Sequence, residues 1–444
     1  MNHSNTNNQG SWIESSGVRH IFRSIGISLH PAKLGLALTT LIATIILGGV
    51  LDWCWTRGSG IGPAAIGEYI TSHELDRAYV EPSGDLGVFA VWKSHERGCV
   101  QGFLHAVLPG SSMVAGTPLG NYVESRSAGG AMRNLYEMGY GVLWMMRVHP
   151  LFFLLFAAGG LVLWAMGGGA ICRIAAVQFA RDERLTARQA LAYSKARLVG
   201  GFVLAPCIPL VFMLIAGILM ILGGAVLWIP FLGDVLMGPA FALAMLGGFV
   251  VAVLLVGLLI GGGLFWPTVA AEGSDAFDSF SRSLSYPLSR PWKALLYATI
   301  STLLASVSWI CVSLFVRLAL LLTRAFVGFG TSPFGWGNRG TTEAPVRKLD
   351  LLWPLGGSNG LYAAPEWSKL SWYEYFSASW IALYVMLAIG LTWAFLFSFY
   401  FCSSTVLYFL LRRDVDGTDL EEVFIEDDGE APAAPPIKTE AGTP

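Results

Sequence analysis

Residues 168–200, GGAICRIAAVQFARDERLTARQALAYSKARLVG, decide the fold. An apolar run of membrane-crossing length ends at Cys172, and the next begins near Val199, about 26 residues later. Between them stand Arg173, Arg181, Arg184, Arg188, Lys195 and Arg197, opposed only by Asp182 and Glu183. Short connections rich in Lys and Arg are held on the cytoplasmic side of a membrane. This stretch therefore orients the chain and supplies its most structured cytoplasmic surface.

Composition agrees. Of the 444 residues, 54% are hydrophobic and 13% charged, and the mean hydropathy is +0.58. Soluble domains carry roughly 25% charged residues. The deficit fits a surface facing hydrocarbon, where a charge costs about 2.5–3.5 kcal/mol. The formal net charge of −2 lacks the basic excess of a nucleic-acid-binding protein, so no nucleic-acid partner is expected. Six cysteines in a chain of this length do not make a disulfide scaffold.

Working outward, residues 1–33 read as a cytoplasmic N-terminal tail, polar at first and then carrying Arg19, Arg23 and Lys33. Residues 34–52 form the first transmembrane helix, an uncleaved anchor. Residues 53–150 are a polar insert with apolar patches, punctuated by Pro63, Pro82, Pro109 and Pro118. They read as a small extracytoplasmic cap, and their last part, 128–148, as a helix on the membrane interface. Residues 151–322 hold helices 2–5, expected at 151–171, 200–228, 239–266 and 294–316. Arg317 and Arg324 fall at or beyond the outer end of the fifth. A second extracytoplasmic loop covers 323–377 and a sixth helix lies within 378–413. Residues 414–444 form an acidic, Pro/Ala-rich cytoplasmic tail, read as disordered past about residue 428. The expected architecture is an all-α integral membrane protein of about six transmembrane helices. Both termini are placed in the cytoplasm and the chain in the inner membrane of a bacterial cell.

The two cytoplasmic loops match at an offset of about 93 residues: Leu191, Tyr193 and Arg197 against Leu284, Tyr286 and Arg290, and Asp182 against Asp275. This suggests a parallel repeat of helices 2–3 and 4–5. Each loop reads as a short amphipathic helix. Thr186 and Gln189 have capping-box spacing. Ala187, Ala190, Leu191, Ser194 and Leu198 share a face. In the second loop Ser274 and Asp275 can cap, Phe277, Phe280 and Leu284 form an apolar stripe, and Pro287 and Pro291 are expected to stop the helix. Arg181, Arg184, Arg188, Lys195, Arg197 and Arg290 are the candidate docking residues, for anionic lipid or a partner protein.

The segments Ala170-Ile171-Cys172-Arg173-Ile174-Ala175-Ala176-Val177-Gln178, continuing to Glu183, and Tyr408-Phe409-Leu410-Leu411-Arg412-Arg413-Asp414, continuing to Val423, resemble uncharacterised multi-pass membrane proteins of planctomycete-type bacteria. That resemblance implies a six-helix bundle and carries no activity.

Chemical motifs are sparse. Asp414-Val415-Asp416-Gly417-Thr418 resembles the nucleophile motif of haloacid-dehalogenase-type phosphatases. In those enzymes the first aspartate attacks phosphate and the second protonates the leaving group. Here it follows a helix, and only about 30 residues remain for the rest of such a domain. His95, Cys99 and His105, with Cys54 or His73 as a fourth, are metal-ligating residue types, but their spacings match no standard zinc pattern. No catalytic residue, cofactor or metal is expected. Gln189-Ala190 followed by Ala205-Pro206 is faintly similar to the coupling helix of ABC permeases, without its central glycine. Cys54 and Cys99 are the two cysteines placed outside, and a disulfide between them is expected in an oxidising compartment. The reading that results is a non-enzymatic scaffold or accessory subunit of a membrane complex, in contact with lipid and with another membrane or cytoplasmic protein. The alternative is a permease-like transporter subunit.

Topology follows directly. Reporter fusions after Arg184, after Asp278 and at the C-terminus should report cytoplasm, and fusions near Gly84 and Gly340 the outside. A periplasmic signal from the Arg184 fusion would overturn the orientation.

Overall fold

The computed structural model describes residues 17–55, 65–72, 87–107, 130–229, 232–331, 348–355 and 365–425. Its helices are α1 Val18–Ser28, α2 Pro31–Trp55, α3 Ala65–Ser72, α4 Val88–Val107, α5 Gly130–Val148, α6 Pro150–Arg181 and α7 Ala187–Ala196. A π-helical turn, Leu198–Val203, leads into α8 Leu204–Ala225. Then come α9 Leu232–Gly261, a 3-10 turn Gly262–Leu264, α10 Phe265–Glu272, α11 Ala276–Ser289, α12 Pro291–Thr331, α13 Lys348–Leu352 and α14 Trp372–Asp416. Among the described residues there is no strand, and six helical segments are long and apolar enough to cross a membrane. The chain is an all-α multi-pass membrane protein whose spans contact lipid.

The second span organises the rest. Proline at its first turn presets the helical φ, and Asp182 in the left-handed region (φ 55) ends it. Its 32 residues reach about 48 Å at 1.5 Å per residue, well beyond the roughly 30 Å hydrocarbon core. The helix therefore does not stop near residue 171, where the apolar run ends. Arg173 lies inside it, and the loop that follows is short.

From Ala165 to Ala180 this helix is buried on nearly every side. Three consecutive glycines make that possible. Successive helical residues point about 100° apart, so Gly167, Gly168 and Gly169 face different neighbours. A Cβ on Gly167 would lie 2.0 Å from the Thr40 hydroxyl of α2. On Gly168 it would lie 2.7 Å from Phe401 of α14, and on Gly169 2.8 Å from Phe202 of the π turn. Small residues let membrane helices approach closely; here one turn admits three partners.

The core sits at the end of the bundle carrying α1, α7 and α11, called here the basic end. It takes in nearly all of residues 398–412 of α14. α1 lies within the segment expected to be a tail. Its buried face, Ile21, Ser24, Ile27 and Ser28, packs beneath α14, and Ser398 donates to the Ser28 carbonyl at 2.9 Å. Residues 414–425 likewise return to the core, with Val423 buried; residues 426–444 lie outside the described set.

The short helices form for local reasons. Thr186 and Gln189 make the reciprocal capping box, Gln189 N–H to Thr186 Oγ1 at 3.3 Å and Thr186 N–H to Gln189 Oε1 at 3.1 Å. Asp275 caps α11 by accepting from the Asp278 amide at 2.9 Å. Pro287 lies inside α11 without ending it; the helix stops at Ser289 and Pro291 opens α12. The two loop helices agree at their ends: Tyr193 and Tyr286 are buried, and Arg197 and Arg290 are the C-caps. They differ at their starts, because Asp275 caps a helix while the matching Asp182 ends one.

At the other end, α3, α4 and α5 form the cap around Ile66, Phe89, Trp144 and Phe152. Asp52, at the end of α2, accepts from the amides of Phe89 (2.8 Å) and Ala90 (3.0 Å). It thereby supplies the carboxylate that a helix N-terminus favours. α5 packs along α4. α12 runs 41 residues, so Arg317 and Arg324 belong to it. Arg324 donates to Asp350 and to the Trp353 carbonyl, tying α13 to the span.

Packing is uneven. In the most apolar stretch of the fifth span no residue is buried, and in the fourth 6% are, against 28% in the sixth. The glycines of α9 pack mainly on α11: a Cβ on Gly261 would lie 2.6 Å from the Ser283 carbonyl and one on Gly257 3.0 Å from Leu284. A Cβ on Gly248 would meet nothing within 4 Å. Gly261→Leu should therefore lower the melting temperature in detergent, by the equivalent of about 1–3 kcal/mol of overpacking. Gly248→Leu should leave it unchanged. Equal melting of the two variants would remove α11 as the partner of this face.

Candidate functional site: the basic face

The site is built on the free end of α10. The fourth span breaks at the 3-10 turn Gly262–Leu264 and resumes as α10. That helix ends at Gly273, whose φ of +66° suits glycine and whose N–H bonds to the Val269 carbonyl at 3.0 Å. The last carbonyls of a helix have no partner within it. Here the rest of the chain supplies donors. Tyr193 Oη donates to Val269 O at 2.9 Å, Arg173 Nη1 to Ala270 O at 2.9 Å, and the Phe424 amide to Ala271 O at 2.8 Å. Arg197 Nη1 donates to Gly273 O at 2.6 Å. The Arg173 guanidinium lies 4.2 Å over the Tyr193 ring, and that of Arg197 lies 5.2 Å over the same ring and 5.0 Å over Phe424. Two cations at a helix C-terminus also meet the negative end of its dipole.

The side chain at that terminus is engaged too. Glu272 accepts from the Tyr408 hydroxyl and pairs with Arg282 at 2.5 Å and Arg412 at 3.4 Å. Arg412 continues to the Glu422 carbonyl at 3.1 Å. The phosphatase-like motif is absorbed in the same way. Asp414 accepts from Tyr297 at 3.0 Å and pairs with Lys293 at 3.1 Å. Asp416 accepts from Tyr286. Gly417 (φ +71°) caps α14, its N–H reaching the Arg413 carbonyl at 3.1 Å. Burial and the bond to Asp416 push the Tyr286 hydroxyl up to about 12, so it stays a donor at physiological pH.

Of the candidate docking residues, Arg181, Arg184, Arg188, Lys195 and Arg290 are exposed. Arg197 is half-buried and spent on Gly273 and two rings. The face is a rigid base with cations projecting from α7 and its flanks. Arg23, from α1, adds an ion pair with Asp182 at 2.8 Å.

At the cap end the expected Cys54–Cys99 bond is not formed. Both are thiols, Cys54 exposed at the end of α2 and Cys99 buried in α4, its sulfur 3.7–3.8 Å from the His95 ring nitrogens. His73 and the His105 side chain lie outside the described residues.

The sequence alone places Lys33 in a tail and Arg173 in a loop, and does not point to Glu272 or Glu137. Lys33, fully buried, donates to Gln178 at 2.7 Å. Arg173, Glu272 and Glu137 are also buried or nearly so. Arg173 carried a signal: it stands eight positions before the next cation, among Ile, Ala and Val, as a residue inside a helix would. The glycine triplet carried another. No known protein family, curated protein or solved structure matches this chain.

Arg173→Met should cost about 1.5–3 kcal/mol, the range for a hydrogen bond from a charged donor. Arg184→Met, on the exposed flank, should change stability by less than about 0.5 kcal/mol. Thermal melts of the two variants in detergent check this, and equal losses would show that Arg173 does not hold α10.

Proposed function

We propose that the chain is a membrane scaffold or accessory subunit that holds a cytoplasmic partner on its basic face. The observation that carries this is the contrast between the two sets of cations. Arg173, Arg197 and Arg412 are consumed in locking α6, α7, α10 and the C-terminal return together. Arg181, Arg184, Arg188 and Lys195 project outward from that locked base. A rigid base presenting charge fits recognition by electrostatic complementarity. The weakly packed third to fifth spans leave a lateral apolar flank suited to lipid or to a membrane partner. The cytoplasmic placement rests on the Lys/Arg distribution.

A second reading, a permease-like subunit, has its own support. A cavity of about 330 Å³ opens where the fourth span breaks, lined by Trp164, Pro206, Gly263, Trp266 and Tyr400 among others. Interrupted helices beside a cavity are a feature of transporters.

The test is purification after in-cell crosslinking of the parent and of the Arg184→Glu/Arg188→Glu/Lys195→Glu variant. The parent should carry a stoichiometric partner that the variant loses at unchanged melting temperature. Retention of that partner by the variant, or its absence from the parent, would refute docking at this face. A stoichiometric ATPase would favour the permease reading.

A further inference from the structure

The interface between α4 and α5 in the cap is not purely apolar. His95 and Cys99, one turn apart on α4, face Glu137 of α5, and all three are buried, at 6%, 0% and 5% exposure. One ligand-type atom from each lies within 4.8 Å of the other two. Residues four apart share a helix face, which is how one helix offers two ligands. Cys99 Sγ is 3.7 Å from His95 Nε2. Tetrahedral zinc, with Zn–S near 2.3 Å and Zn–N near 2.0–2.1 Å, would set sulfur and nitrogen about 3.5 Å apart. The pair already stands close to that separation. Arg133 Nε donates to Glu137 Oε1 at 3.0 Å, holding the carboxylate in place.

A second observation points to the same site. Glu96 Oε1 is buried with no hydrogen-bond partner and lies 3.8 Å from His95 Nδ1. Both atoms press on Gly141 of α5, where a Cβ would come within 2.4 Å of the Glu96 oxygen and 3.0 Å of Nδ1. A buried carboxylate oxygen without a partner is costly. A carboxylate behind a metal-bound histidine, by contrast, is the usual device that orients the ring and fixes its tautomer.

We propose that His95, Cys99 and Glu137 bind a divalent transition ion of the zinc class. Glu96 orients the imidazole through Nδ1, and a fourth position is left to water. Thiolate and imidazole together select such ions over Mg²⁺ and Ca²⁺. Cys99 binds as the thiolate, so uptake of the ion releases its proton to solvent. The ion would bridge α4 and α5, staple the cap, and occupy the thiol otherwise available to Cys54. This inference is independent of the role assigned to the basic face.

The test uses the full chain in detergent, in a Cys54→Ser background that excludes the disulfide, stripped with chelator and titrated with Co²⁺ alone. One Co²⁺ per chain should bind, with the visible ligand-field bands of a tetrahedral site and a near-ultraviolet thiolate-to-cobalt charge-transfer band. Excess Zn²⁺ should abolish both and excess Ca²⁺ neither. Cys99→Ser should lose the charge-transfer band, and Glu96→Gln should keep it but bind about 10- to 100-fold more weakly. Because Cys99→Ser could fail to fold, the stripped parent supplies a separate readout: Zn²⁺ should raise its melting temperature. Absence of the charge-transfer band together with an unmoved melting temperature would overturn the proposal.

Discussion

A guanidinium on one membrane span closes the carbonyl end of another. Arg173 of α6 donates to Ala270 at the end of α10, and much else at the basic end depends on that contact. A helix terminus buried under protein leaves carbonyls that water cannot reach, each costly unless paired. Tyr193, the Phe424 amide and Arg197 reach the neighbouring carbonyls of Val269, Ala271 and Gly273. Because those donors come from α6, α7 and the C-terminal return, satisfying one helix end fixes the positions of three other segments. The charge on Arg173 is tolerated inside because its partners are a helix C-terminus and the face of an aromatic ring.

The same constraint explains where the core lies. Three adjacent glycines let α2, α14 and the π turn reach the backbone of α6 in one turn. Below that turn, α6 and α14 are buried on almost all sides. Farther along the bundle the third and fourth spans pack on each other, and they and the fifth turn apolar side chains outward. In lipid such exposure costs nothing, since acyl chains are as apolar as leucine. The molecule therefore joins a locked basic end to an open flank, with a small folded cap at the opposite end.

What was legible in the sequence was what depends on local rules. Six apolar runs marked six spans, because burial in hydrocarbon needs only length and apolarity. Thr186 and Gln189 marked a helix start, and Asp275 another, because capping is a contact within four residues. The repeat of Tyr193 and Arg197 in Tyr286 and Arg290 marked positions that are buried and that end helices. What could not be read depends on distant partners. Arg173 counts as a loop cation unless α10 is known to end beside it. The segments holding α1 and residues 419–425 look like polar tails, because their buried residues are few and their partners lie on α14 and α10. In the cap, His95 and Cys99 were visible as ligand types, while Glu137, about 40 residues away, was not. A carboxylate on a separate helix leaves no spacing to recognise.

The most direct measurement is hydrogen exchange at the Phe424 amide in a lipid nanodisc. That amide belongs to an irregular segment outside the membrane-spanning helices, and its hydrogen bond is to the Ala271 carbonyl, so membrane burial cannot account for its protection. With α10 closed as described, it should exchange orders of magnitude more slowly than an open chain and lose that protection in Arg173→Met. Exchange at the open-chain rate in the parent protein would contradict the closure on which the basic face rests.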